Sequence, residues 1–101
     1  MVILPYLHYL PSVGAPRQAH ETAALVGRVR VGAGCNFGRL ATLRADGERV
    51  EAGPGCWFDD ASTLHIADSA HPAMVGANVT VGRFALVHAC TVEDEIGRAH
   101  V

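Results

Sequence analysis

The sequence predicts an all-β protein, a parallel β-helix of triangular cross-section with about three to four coils. Three observations carry that expectation. An apolar residue recurs every six positions through most of the chain. A second set of small residues falls in the same frame. Glycine and valine are abundant, with 11 glycines among 101 residues, which suits short strands joined by tight turns.

The repeat is read in three series. Val31, Phe37 and Leu43 form the first, Ala52, Phe58 and Leu64 the second, and Val75, Val81 and Val87 the third. Glycine follows at Gly32, Gly38, Gly53, Gly76 and Gly82. Four residues after the first two members of each series stands another inward candidate: Cys35 and Ala41, then Cys56 and Ser62, then Val79 and Ala85. Three faces of six residues make one coil, so segments 46–49 and 67–73 are loops let out between coils. Val26-Gly27 reads as the start of an earlier turn, with a one-residue slip before Val31. Ahead of it, residues 1–23 read as an N-terminal arm. The opening "MVILPYLHYLPSVGAP" is apolar, but it lacks an early positive charge and is broken by Pro5 and Pro11, unlike a signal peptide or membrane span. The β-helix then runs over 24–95. A two-sheet β-sandwich is the alternative architecture.

Composition excludes some functions. Charged residues make up only 18% of the chain and the formal net charge is −2, so neither nucleic acid nor an anionic membrane surface is an expected partner. Cys35, Cys56 and Cys90 are odd in number and lack the paired spacing of a zinc motif, which points to a reducing compartment, the cytoplasm. Cys35 and Cys56 stack within reach of a disulfide, but Val79 fills the same column, favouring small inward packing.

Stacking the coils gathers distant residues. Leu43, Leu64 and Val87 share a column, so Arg44, His65 and His88 share the next one, pointing outward. Around a corner, Phe37, Phe58 and Val81 place Arg39, Asp60 and Arg83 in a second polar column. Two imidazoles, a carboxylate and a guanidinium therefore come together from widely separated positions.

The segment from Val26 to Glu95 resembles the gamma-class carbonic anhydrases, members of the hexapeptide-repeat superfamily. "LRADG" is similar to their Arg-x-Asp element, "FDDASTLH" to the stretch that ends in the first zinc histidine, and "VTVGRFALVHAC" to the stretch that supplies the other two. The resemblance implies a left-handed coil, although parallel crossovers are generally right-handed. It also implies a homotrimer with zinc, or another divalent metal, held between subunits. His65 and His88 fall on the two ligands given by one chain, and Arg83 falls on the position whose ligand the neighbour gives. Arginine has no lone pair to offer a metal, and a catalytic zinc needs three protein ligands and an open position for water. The zinc site is therefore expected to be incomplete. Asp59 stands where the family has a glutamine. Asp68 resembles an acidic proton shuttle, while its residue-level reading is a solvated loop carboxylate. Arg44 with Asp46 and Asp60 resembles an intersubunit ion-pair network, and Arg83 joins the same interface.

By the same resemblance, the chain stops before the C-terminal coils and helix of the family. Ile96–Val101 reads as translated sequencing adapter, since ATCGGAAGAGCACACGTC encodes it; a genuine Ile-Gly turn is the alternative. Three functions are consistent with these residues: reversible hydration of carbon dioxide to bicarbonate, impaired by Arg83; a non-catalytic trimeric scaffold or assembly subunit; and a hexapeptide-repeat acyltransferase.

Overall fold

The computed structural model describes residues 1–66, 72–88 and 91–92, with the side chains of all of these except Ile66, His88, Thr91 and Val92. It is a parallel β-solenoid of about four turns, the left-handed β-helix expected from the sequence. Among the described residues, twelve short strands run in order: β1 Val2–Leu4, β2 Ser12–Val13, β3 Gln18–Ala19, β4 Ala24–Val31, β5 Asn36–Phe37, β6 Thr42–Ala52, β7 Trp57–Phe58, β8 Thr63–Ile66, β9 Ala73–Val75, β10 Thr80–Val81, β11 Leu86–His88 and β12 Thr91–Val92. The ten strand pairings among the described residues are all parallel, which excludes the β-sandwich and its antiparallel meanders.

The three inward columns stack as the six-residue frame requires. Leu43 is the register partner of Leu64, and Leu64 of Val87. Phe37 and Val81 flank Phe58 on either side, and Val31 and Val75 flank Ala52. All are buried, as are Cys35, Ala41, Cys56, Ser62, Val79 and Ala85. Cys35 and Cys56 are free thiols whose S–H groups donate to the carbonyls of Gly53 and Gly76. The core is one continuous apolar column, with the Phe37 and Phe58 rings stacked at 5.3 Å between centroids.

The N-terminal segment is more than an arm. β1 pairs with the first half of β4, β2 with its second half, and β3 with β5, so residues 2–19 form a coil on the same ladders. The frame also runs without the slip read at Val26-Gly27. Leu25 is the inward residue, fully buried and opposite Leu43, while Val26 lies opposite Arg44. Counting back by sixes from Val31 reaches Leu25, Ala19 and Val13.

The 46–49 loop is real and sits inside β6. Ala45 pairs with Gly27 and Val50 with Val29, so Arg28 alone faces four residues. The second expected loop, 67–73, lies mostly outside the described residues, as do Asp68, Cys90 and Ile96–Val101.

Gly32 and Gly53 show why glycine follows the inward residue. A Cβ on Gly32 would lie 2.6 Å from the Pro54 nitrogen, and one on Gly53 would lie 2.8 Å from the Ala77 nitrogen. The next coil's turn occupies that space, which only glycine leaves open.

Candidate functional site

The second polar column is made by one corner turn repeated in three coils. The N–H groups of Ala41, Ser62 and Ala85 donate to the carbonyls of Gly38, Asp59 and Gly82. Each bond closes a four-residue turn, whose third residue, Leu40, Ala61 or Phe84, has a φ near +60°. Arg39, Asp60 and Arg83 are the second residues of these turns and stand at the edge of the prism. Arg83 is exposed.

Asp60 has a partner that sequence reading did not foresee. Its Oδ1 accepts the backbone N–H of Arg39, one coil away, at 2.8 Å. Gly38 makes this possible: a Cβ there would lie 2.5 Å from that same oxygen. Asp60 stacks between Arg39 and Arg83 in this column, within reach of either side chain. Among the described residues, neither Asp60 nor Arg83 makes an ion pair within the chain. The backbone donor wins because the turn fixes it in place, whereas the long arginine chain would lose rotamer entropy to make an exposed bridge. Asp59 is engaged locally too, accepting the N–H of Asp60 at 2.8 Å.

The first polar column carries Arg44, His65 and His88. Arg44 is the register partner of His65 and His65 of His88, so the backbone sets the two histidines on adjacent strands, as the stacking predicted. Asp46, just inside the 46–49 loop, turns back over this column. Its Oδ1 accepts from Arg44 Nε at 2.9 Å, and its Oδ2 lies 3.4 Å from His65 Nε2. The Arg44 hydrogen bond, aided by His65 and opposed by partial burial, holds the Asp46 carboxyl below the usual carboxylate range. A carboxylate on one ring nitrogen is the support commonly given to a metal-binding histidine, although 3.4 Å is long for a hydrogen bond.

One chain supplies two imidazoles at neighbouring positions. The third position read from the sequence holds a guanidinium, which cannot coordinate. Among the described residues, no three His, Cys, Asp or Glu side chains converge to hold an ion. As the sequence assigns the three positions, a guanidinium in the third does not fit a three-ligand catalytic zinc.

Sequence reading also missed a groove of about 510 Å³ beside the corner column, lined by Gln18, His20, Trp57, Asp59 and Asp60 among others. Trp57, 47% exposed, was legible as an outward position, since it precedes the buried Phe58.

The chain is 39% identical over 79 residues to "Gamma carbonic anhydrase 1, mitochondrial" of Arabidopsis thaliana, which covers 73% of this chain and 29% of that protein. It is 26% identical over 101 residues to Protein YrdA of Escherichia coli, covering 94% of this chain and 55% of that one. A solved structure from Bacillus cereus, whose description proposes an acetyltransferase, superposes with a TM-score of 0.82 at 25% identity, covering 89% of this chain and 52% of that one. The chain thus spans between about a third and a half of the length of these relatives. No family-wide sequence profile matches it.

Proposed function

Since the chain belongs to the gamma carbonic anhydrase-like, hexapeptide-repeat family, we propose that the whole protein is a homotrimer with a degenerate intersubunit metal site. In this reading His65 and His88 are the same-chain ligands of a weakly held zinc, or another divalent metal. Arg83 of a neighbouring subunit faces them in place of a third ligand. Reversible hydration of carbon dioxide, the family's reaction, is then impaired. The single observation carrying this is Arg83 itself: an exposed guanidinium at a corner turn, in the column next to the paired histidines. A fixed cation there repels a metal ion and cannot ligate it.

The polar columns would meet across the subunit interface, with Arg44 and Asp46 already paired within the chain and Asp60 and Arg83 contributing from the corner. Asp59 takes the water-orienting position and Asp68 that of a proton shuttle in the family's arrangement. Both roles weaken if metal is bound poorly. The two buried free thiols fit a reducing compartment, and we place the protein in the cytoplasm. No helix among the described residues is long and apolar enough to cross a membrane.

The test compares wild type with Arg83→His in the complete protein, measuring zinc retained after dialysis and the rate of carbon dioxide hydration. The substitution is expected to raise zinc affinity by orders of magnitude, because ligand count goes from two imidazoles to three. Full zinc occupancy and strong hydration in the wild type would refute the degenerate site.

The solved structure described as an acetyltransferase favours a second reading, acyl transfer from coenzyme A in the clefts between subunits. Acetyl-coenzyme A turnover by the same wild-type preparation separates the two. Trimeric assembly with neither activity would leave the non-catalytic scaffold.

A further inference from the structure

We propose that a cleft at a different corner of the prism binds a small oxyanion, a carboxylate or phosphoryl group carried on a compact apolar body. The cleft has a volume of about 450 Å³ and draws its walls from three separate segments. Arg28 comes from the corner facing the 46–49 loop, Arg30 from the outward side of β4, and Arg49 from the loop. Three of the chain's eight basic residues thus meet in one cleft of a protein with a net charge of −2.

The local carboxylates do not balance these guanidiniums. Glu48 lies 3.8 Å from Arg28 and 3.6 Å from Arg49, and Glu51 takes a short bond from Arg49 Nε. Arg30 is left out. Its register partners on the ladder are Glu51 on one side and Ser12 on the other, the directly opposed positions at which unlike charges pair. Glu51 nevertheless turns to Arg49, and the Arg30 side chain makes no ion pair or hydrogen bond among the described residues. A planar cation with free donors therefore lines a concave site between two others.

The remaining walls suit the rest of such a ligand. The Arg28 guanidinium lies 5.1 Å from the centroid of the Tyr9 ring, so it is held in place by a cation–π contact. Leu10, 64% exposed, offers apolar surface beside the charges. A guanidinium fork matches carboxylate and phosphoryl oxygens two at a time, and the volume is within the range of small-molecule sites. A long polyanion is disfavoured, because the basic residues form a pocket rather than a stripe and the chain as a whole is acidic.

The experiment titrates the full chain with benzoate and, separately, with inorganic phosphate at low salt, followed by calorimetry. Saturable binding in the millimolar range or tighter is expected for at least one. Arg30→Ala should weaken it by about 10-fold, the loss of one charge-assisted contact. This variant removes an exposed side chain without a partner, so the fold is retained. Glu51→Gln should tighten binding a few-fold, because it frees Arg49 from its competitor. Three results overturn the proposal: no saturable binding of either probe up to about 20 mM, equal binding by wild type and Arg30→Ala, or preference for an oligonucleotide or for phosphatidylserine vesicles over both small probes.

Discussion

Gly38→Ala probes the least obvious constraint at the corner column, because the glycine makes room for a carboxylate rather than for backbone freedom. The added methyl would lie 2.5 Å from Asp60 Oδ1, 2.9 Å from Asp60 N and 3.0 Å from Asp59 C. The carboxylate can swing aside, but it then gives up the Arg39 N–H held at 2.8 Å. An exposed bond of that kind contributes about 1 kcal/mol. The two backbone contacts cannot rotate away, and relieving them costs about 1–2 kcal/mol as local overpacking. Restricting the unfolded chain returns about 0.5 kcal/mol. The net expectation is a loss of about 2 kcal/mol, which lowers the urea midpoint by about 1 M at a typical slope for this size. Measurements belong at one fixed protein concentration, because assembly contributes to apparent stability. In an Asp60→Ala background the carboxylate component is already gone, so Gly38→Ala should cost only about 1 kcal/mol there. An unchanged midpoint for Gly38→Ala, or the same cost in both backgrounds, would refute the account of Gly38 as the seat of the Asp60 carboxylate.

Two further outcomes are expected. Ser62 is 1% exposed and its hydroxyl has no hydrogen-bond partner among the described residues, while Ala41 and Ala85 fill the equivalent place in neighbouring coils; Ser62→Ala should therefore stabilise by about 1 kcal/mol in chemical denaturation, and a loss of stability would show the hydroxyl to be satisfied. The Asp46 carboxyl is held low first by its hydrogen bond from Arg44, so it favours the folded state above the ordinary aspartate range and loses that contribution as pH falls through its native value. Stability of the wild type should accordingly drop below about pH 4, and Asp46→Asn should flatten that part of the profile; parallel curves for the two proteins would count against the pairing.

The coils were legible because an inward position in a solenoid is the same chemical environment at every turn. Val31, Phe37 and Leu43 need apolar neighbours above and below, and six-residue spacing alone says where those neighbours stand. The same logic placed His65 beside His88 on the backbone, and it placed the 46–49 loop, since skipping four residues restores the frame at Val50. The first coil was obscured for a local reason. Pro5 and Pro11 read as breaks in an arm, although Val13, Ala19 and Leu25 continue the six-residue frame back from Val31. A proline-bearing stretch can still join a parallel ladder wherever its own N–H is not required.

What only the tertiary structure decided was the choice among partners that the register leaves equally near. Asp60 stacks between two arginines, yet it accepts a backbone N–H from one of them instead of pairing with either side chain. Glu51 stands opposite Arg30, yet it pairs with Arg49. Asp46 reaches both Arg44 and His65 because the loop folds back over their column. Register sets Cα positions to within a residue, which is enough to say which side chains share a column. Each contact is settled by differences of about 1 kcal/mol in rotamer entropy, distance and solvation among competing partners, and those exist only once the loops and turns have their shapes.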